Sequence, residues 1–178
     1  MDDKGHPSLT LTHDQRAIAH YLGRKALEVG EANGNPETVD VSARQLFNNV
    51  NAIAAEIAIT AHLNVAHDLT VKWPPAHHDF VLKNGTRVDC KWTRSRNSHL
   101  VVARNKRLTD CDLFLSMKGE GRHFKVIGWA TPSMVMQDKY LRTDRTGWWV
   151  KHYDLIQARH CPPTMTLHDY IIFWMDNQ

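Results

Sequence analysis

Between Gln45 and Ala61 the chain carries a single charged side chain, Glu56, while Leu46, Val50, Ile53, Ile57 and Ala61 recur every three or four residues. That spacing is helical. Alanines fill much of the remaining surface, so the helix, which begins after Asp40 or Ser42, is predicted to be largely buried. An isolated carboxylate on such a helix is costly unless a cation pairs with it, so Glu56 requires a lysine or a metal ion nearby.

What surrounds this helix points to a layered α/β or α+β fold. Upstream, Thr12 and Gln15 have capping-box spacing, and Ile18, Tyr21, Leu22, Leu27 and Val29 predict a helix over 13–33, ended by Gly34 and Pro36. Residues 1–11 read as a loose tail. Downstream, DFVL, RVDCKW, HLVVAR, DLFLSMK and HFKVIGWA are short, apolar segments bounded by Gly, Asn or charged residues, which predicts five strands in a mixed sheet covered by the buried helix. TPSMVMQDKYL predicts a further helix, GWWVKHYDLIQ a last strand, and TLHDYIIFWMDNQ a short terminal helix. Tyr170, Ile171, Phe173 and Trp174 of that helix are expected on the core, with a homodimer contact as their alternative use. A chain of 178 residues suits one domain, with its core at about 42–135 and additions at 13–33 and 147–178.

Composition narrows the setting. Three cysteines without a CxxC pair suggest neither a disulfide framework nor a cysteine-rich zinc site. The polar N-terminus and the lack of any run of ~18 apolar residues lead us to expect no membrane partner and a cytoplasmic location. The net charge of +3 permits a polyanionic partner without requiring one.

The most informative short stretch is HHDFVLKNGTRVDCKW, residues 77–92. If Lys83-Asn84-Gly85 forms a three-residue loop closed by Gly85 in the left-handed conformation, Phe80 faces Val88 and Asp79 faces Asp89. The two aspartates then share a face, about 5 Å apart at Cβ, with Lys91 beside them. Opposed like charges destabilise a strand pair unless a cation lies between them. Carboxylate oxygens suit Mg²⁺ or Mn²⁺, and an adjacent lysine can stabilise charge developing on a phosphate. A two-residue turn would instead place the aspartates on opposite faces, and the bland alternative is a solvated hairpin bearing an ordinary Asp/Lys pair. From Cys90 to Thr109 there is no acidic residue, while Lys91, Arg94, Arg96, Arg104, Lys106 and Arg107 are present, a charge pattern suited to a phosphodiester backbone.

The order Glu56, Asp79, Asp89, Cys90, Lys91 resembles the PD-(D/E)XK nuclease superfamily, the restriction-endonuclease-like fold, over about residues 42–135. The resemblance implies a central mixed sheet flanked by helices and a Mg²⁺-dependent endonuclease, with Mn²⁺ able to substitute. Asp79 and Asp89 would hold the ion by their side chains, Cys90 by its backbone carbonyl and Glu56 directly or through water. Lys91 would position or activate the attacking water. Double-stranded DNA is the implied partner, with Arg94, Arg96, Arg104, Lys106 and Arg107 on its backbone and His77 or His78 as accessories. Two neighbouring readings stay open: a non-catalytic nucleic-acid-binding protein on the same fold, and a structure-specific nuclease like the Holliday-junction resolvases. An HNH-type site starting at His77 and His78 would need downstream partners, for which only Asn97 to His99 is available.

Overall fold

All five strand segments form, but they do not lie in one sheet. The computed structural model describes residues 5–33, 43–73, 76–94, 99–142 and 147–177. The elements are β1 (Ser8–Thr10), α1 (His13–Ala32), α2 (Ala43–Leu63), β2 (Phe80–Val81), β3 (Arg87–Thr93), β4 (His99–Ala103), β5 (Leu113–Glu120) and β6 (His123–Ala130). They are followed by α3 (Pro132–Val135), β7 (Leu141–Arg142), β8 (Gly147–Lys151), β9 (Ile156–Gln157) and α4 (Leu167–Asp176). The larger sheet runs β1-β6-β5-β3-β2, with β9 also on β6; the smaller runs β4-β8-β7.

The separation follows from one pairing. β3 and β5 are parallel neighbours, Val88 to Thr93 lying against Leu113 to Lys118, and the other strand pairs are antiparallel. Parallel neighbours need a connection that crosses a face of the sheet. β4 lies in that connection, so it pairs with β8 above the sheet instead of joining it. The expected mixed sheet is therefore correct, and the placement of all five segments in it is corrected.

Both faces of the sheet are covered. On one, Ala54, Ile57 and Ala58 of α2 pack with Val88, Cys90, Leu113 and Leu115. On the other, Phe114 and Ile127 pack with Leu100, Val102 and Val150 of the smaller sheet. This explains the continuous apolar run in β5, which an alternating one-sided strand would lack. The N-terminal segment differs from the expected tail: β1 pairs with β6, and Leu9 and Leu11 are buried. The capping box on α1 forms as read, whereas Gly34, Pro36, Asp40 and Ser42 lie outside the described residues. The helix expected from TPSMVMQDKYL is only the single turn of α3, capped by Thr131, followed by a 3-10 turn at Asp138–Tyr140. In α4, Ile171 is fully buried and the Tyr170 and Trp174 rings meet Trp129 edge-on at 5.5 and 6.4 Å, while Phe173 is exposed. No helix among the described residues is long and apolar enough to cross a membrane.

Two local constraints hold this arrangement. A Cβ on Gly23 of α1 would lie 2.7 Å from Val50 Cγ2 and 3.0 Å from the Val50 backbone on α2. Gly23→Ala should therefore lower unfolding free energy by about 1–3 kcal/mol, overpacking outweighing alanine's better helix propensity. Equal or higher stability in urea titrations would show that the helices can separate freely. At the start of β3, Arg87 donates from Nε and Nη2 to the two Asp112 oxygens at 3.1 and 2.9 Å, and Asp112 N–H donates to the Arg87 carbonyl at 2.9 Å. The hydrogen bonds from Arg87 hold the Asp112 carboxyl below its ordinary value of 3.8. A depressed carboxyl stabilises the fold above its unfolded pKa and loses that contribution as pH falls through the folded one. Asp112→Asn should cost roughly 0.5–1 kcal/mol at pH 7, as expected for a partly exposed pair, and the deficit should shrink below about pH 3.8. A pH-independent gap in denaturation midpoint counts against this assignment.

Candidate functional site

The hairpin adopts the register that the bulged loop predicts. Phe80 pairs with Val88 and Val81 with Arg87, Gly85 has φ +90°, and its N–H donates to the Leu82 carbonyl at 2.9 Å. By continuation Asp79 lies opposite Asp89, but their carboxylates have different roles. The β2 strand begins only at Phe80, and Asp79 Oδ2 accepts the Cys90 N–H at 2.7 Å, occupying the place where β2 would have extended. Along β3 the Val88 carbonyl and the Cys90 N–H both point to this open edge. The Cys90 carbonyl points there too, because N–H and C=O of one strand residue share a side. Asp79 and the Cys90 carbonyl are thus neighbours at the sheet edge.

Asp89 is not part of a solvated hairpin. It is 1% exposed, under the β3-β5 crossover. Lys91 forms an ion pair with Oδ1, and Lys106 Nζ lies 2.7 Å from Oδ2. Lys106 also donates to the His77 carbonyl at 2.8 Å, so it bridges Asp89 to the segment before β2. Burial opposes the charge on Lys91, but Asp89 and Asp79 outweigh it and raise its pKa above the ordinary value of 10.5. Lys91 is therefore an ammonium at neutral pH. Cys90 faces α2, where burial and the nearby carboxylates push its thiol far up, which rules out a thiolate nucleophile there.

Glu56 projects from α2 into a cleft of about 380 Å³, whose wall also includes Asn49, Trp73, His78 and Asp79. Its Oε2 lies 3.3 Å from His67 Nε2, a partner eleven residues away that periodicity does not reveal. Burial, then the charges of Glu56 and Asp89, push the Asp79 carboxyl well above its ordinary value; Lys91 and the Cys90 N–H oppose them. Asp79 therefore stands between two other carboxylates, with Lys91 as the opposing cation.

The remaining candidates fall in several places. His78 lines the cleft, whereas His77 is exposed and turns its Nδ1 to within 3.6 Å of Asp110. Arg94 meets Glu120 at 2.6 Å, with its guanidinium 5.1 Å from the Phe47 ring centre. Arg104 and Arg107 are exposed, Lys106 turns inward to Asp89, and Arg96 lies outside the described residues, as does Asn97 of the alternative His/Asn motif.

The donor set suits a hard divalent ion. Glu56, Asp79 and the Cys90 carbonyl supply oxygen, and each Asp89 oxygen keeps a lone pair beyond its ammonium contact. Among the described residues no three His, Cys, Asp or Glu side chains are drawn together tightly enough to hold an ion unaided. The donors present are oxygens of the type Mg²⁺ takes, one or two carboxylates with retained waters. No protein-family model, curated protein or solved structure matches the chain.

If the acidic groups repel one another as this geometry indicates, Asp79→Asn should stabilise the protein in EDTA. Its amide oxygen can still accept from Cys90, and relief of about 1 kcal/mol would raise the melting temperature by roughly 2–4 °C. Mg²⁺ should raise the melting temperature of the parent and not of the variant. A variant that melts lower in EDTA would contradict the repulsion.

Proposed function

We propose that the protein is a Mg²⁺-dependent endonuclease of the PD-(D/E)XK type, acting on DNA. The observation that carries this reading is the placement of Asp89 and Lys91 in the middle of β3, with Asp79 at the adjoining sheet edge and Glu56 with Asp79 on the wall of the cleft. Carboxylates so placed are destabilising by themselves, and a cation-dependent reaction gives them a use.

In this reading Asp79, Asp89, Glu56 and the Cys90 carbonyl hold the ion, for which Mn²⁺ can substitute. When bound, the ion supplies Lewis acidity at the phosphate and lowers the pKa of water. The chain's own residues do the rest. Lys91, paired with Asp89, positions the attacking water and stabilises negative charge developing on the phosphate. Glu56 lines the cleft, where a carboxylate can take a proton from water, and His67 meets it at 3.3 Å. Exposed Arg104 and Arg107 flank the crossover loop and are available to phosphates.

Asp89→Asn and Lys91→Ala should each reduce cleavage of supercoiled plasmid in Mg²⁺ by at least about 10²-fold, with the circular dichroism of the folded protein retained at a lower melting temperature. Full cleavage by either variant would sink the assignment. Branched, linear and single-stranded substrates in the same assay separate junction resolution from nicking and double-strand cutting.

One observation favours the alternative of a non-catalytic nucleic-acid-binding protein. Lys91 and Lys106 together already neutralise Asp89. On that reading, DNA binding is steeply salt-dependent and neither Mg²⁺ nor Mn²⁺ yields product on any substrate.

A further inference from the structure

The smaller sheet has an outward face that the acidic site does not use. Leu100, Val102 and Val150 point inward to the core, so alternation turns His99, Val101, Trp149 and Lys151 outward. Arg142 lies opposite Gly147, which lies opposite Ala103, on that same face. A Cβ on Gly147 would lie 2.0 Å from the Val102 carbonyl oxygen, so glycine is what lets the three strands close up there.

The result is a trough of about 320 Å³ with an aromatic floor and a basic rim. Trp149 and His99 form the floor, their ring centres 5.7 Å apart. Lys139, Arg142 and Lys151 are exposed at the rim, and Asp154 is the acidic side chain among the described lining residues. Lys139 Nζ is 4.7 Å from the Tyr140 ring centre, so cation and aromatic surface are interleaved. β4 is also the strand from which the Lys106 loop departs: the Ala103 carbonyl accepts the Lys106 N–H at 3.1 Å, and Lys106 reaches Asp89.

We propose that this trough binds a single-stranded stretch of nucleic acid, a base stacking on Trp149 while phosphates meet Lys139, Arg142 and Lys151. A rim of cations alone would suit any polyanion. The aromatic floor selects a strand with free base faces, because a duplex keeps its bases stacked on one another and offers only its backbone. The proposal goes beyond the nuclease reading by giving the smaller sheet a binding role of its own, and its test does not depend on cleavage.

The test is fluorescence anisotropy with a fluorescein-labelled oligothymidylate in EDTA across a salt series, using the full chain. Lys151→Glu and Arg142→Ala should each weaken binding about three- to tenfold and flatten the logarithmic salt dependence by about 0.7 for each phosphate no longer neutralised. Trp149→Ala should weaken it at least about fivefold, with Trp149→Phe retaining most of the affinity. A duplex of equal length should be insensitive to Trp149→Ala. No binding by the parent chain, undiminished binding by Lys151→Glu and Arg142→Ala, or equal sensitivity of duplex and single strand to Trp149→Ala would each overturn the proposal. Should Trp149→Ala fail to fold, Lys151→Glu on the exposed rim decides the matter. Intact, variant-sensitive binding without cleavage in Mg²⁺ supports the trough and removes the nuclease reading instead.

Discussion

A carboxylate buried in the middle of a sheet needs counter-charge, and the arrangement around Asp89 shows where it comes from. One ammonium, Lys91, is supplied by the same strand two residues on. The other, Lys106, must travel along β4 and return over the sheet face before it reaches Oδ2. The crossover between β3 and β5 therefore both makes the parallel pair possible and delivers the second cation. A buried ion pair of this kind is poor as a source of stability, since desolvation offsets much of the attraction, yet removing one partner is costly. Its value lies in fixing one arrangement of the strand, the loop and the segment before β2.

Around that centre the acidic groups have distinct roles. Asp79 replaces a missing strand partner by accepting the Cys90 N–H, Glu56 lines the cleft and meets His67, and Asp89 is held by two lysines. Lys91 brings positive charge to Asp89, and the Cys90 thiol, pushed up by burial, leaves its backbone carbonyl as the group that residue offers the site. What remains is an oxygen-rich edge with an ammonium beside it, bordered by a smaller sheet whose outer surface combines cations with aromatic rings.

Much of the secondary structure was legible from local pattern. The α1 capping box, the spacing of Leu46, Val50 and Ile57, and the alternation in RVDCKW each report an interaction within a few residues, which is why they could be read directly. The register of the hairpin was legible for the same reason, because a left-handed Gly85 determines which residues face each other. β1 was missed because three residues carry too little pattern, and its strand character comes from pairing with β6 over a hundred residues away. The burial of Asp89 and the Glu56–His67 contact were hidden too, since each depends on a segment folding back from elsewhere in the chain.

By itself the sequence determined the long elements α1, α2 and β3 to β6, the buried nature of α2, and the pairing that places Asp79 opposite Asp89 with Lys91 nearby, because these rest on periodicity and on the backbone freedom of one glycine. Only the tertiary structure decided that β4 leaves the main sheet, that Lys106 turns inward to Asp89 while Arg104 and Arg107 stay outside, and that Trp149 shares a surface with Arg142 and Lys151. The physical reason is that a parallel pair forces its connection across a sheet face. Which charges that connection then brings together is a matter of long-range packing, which no local spacing records.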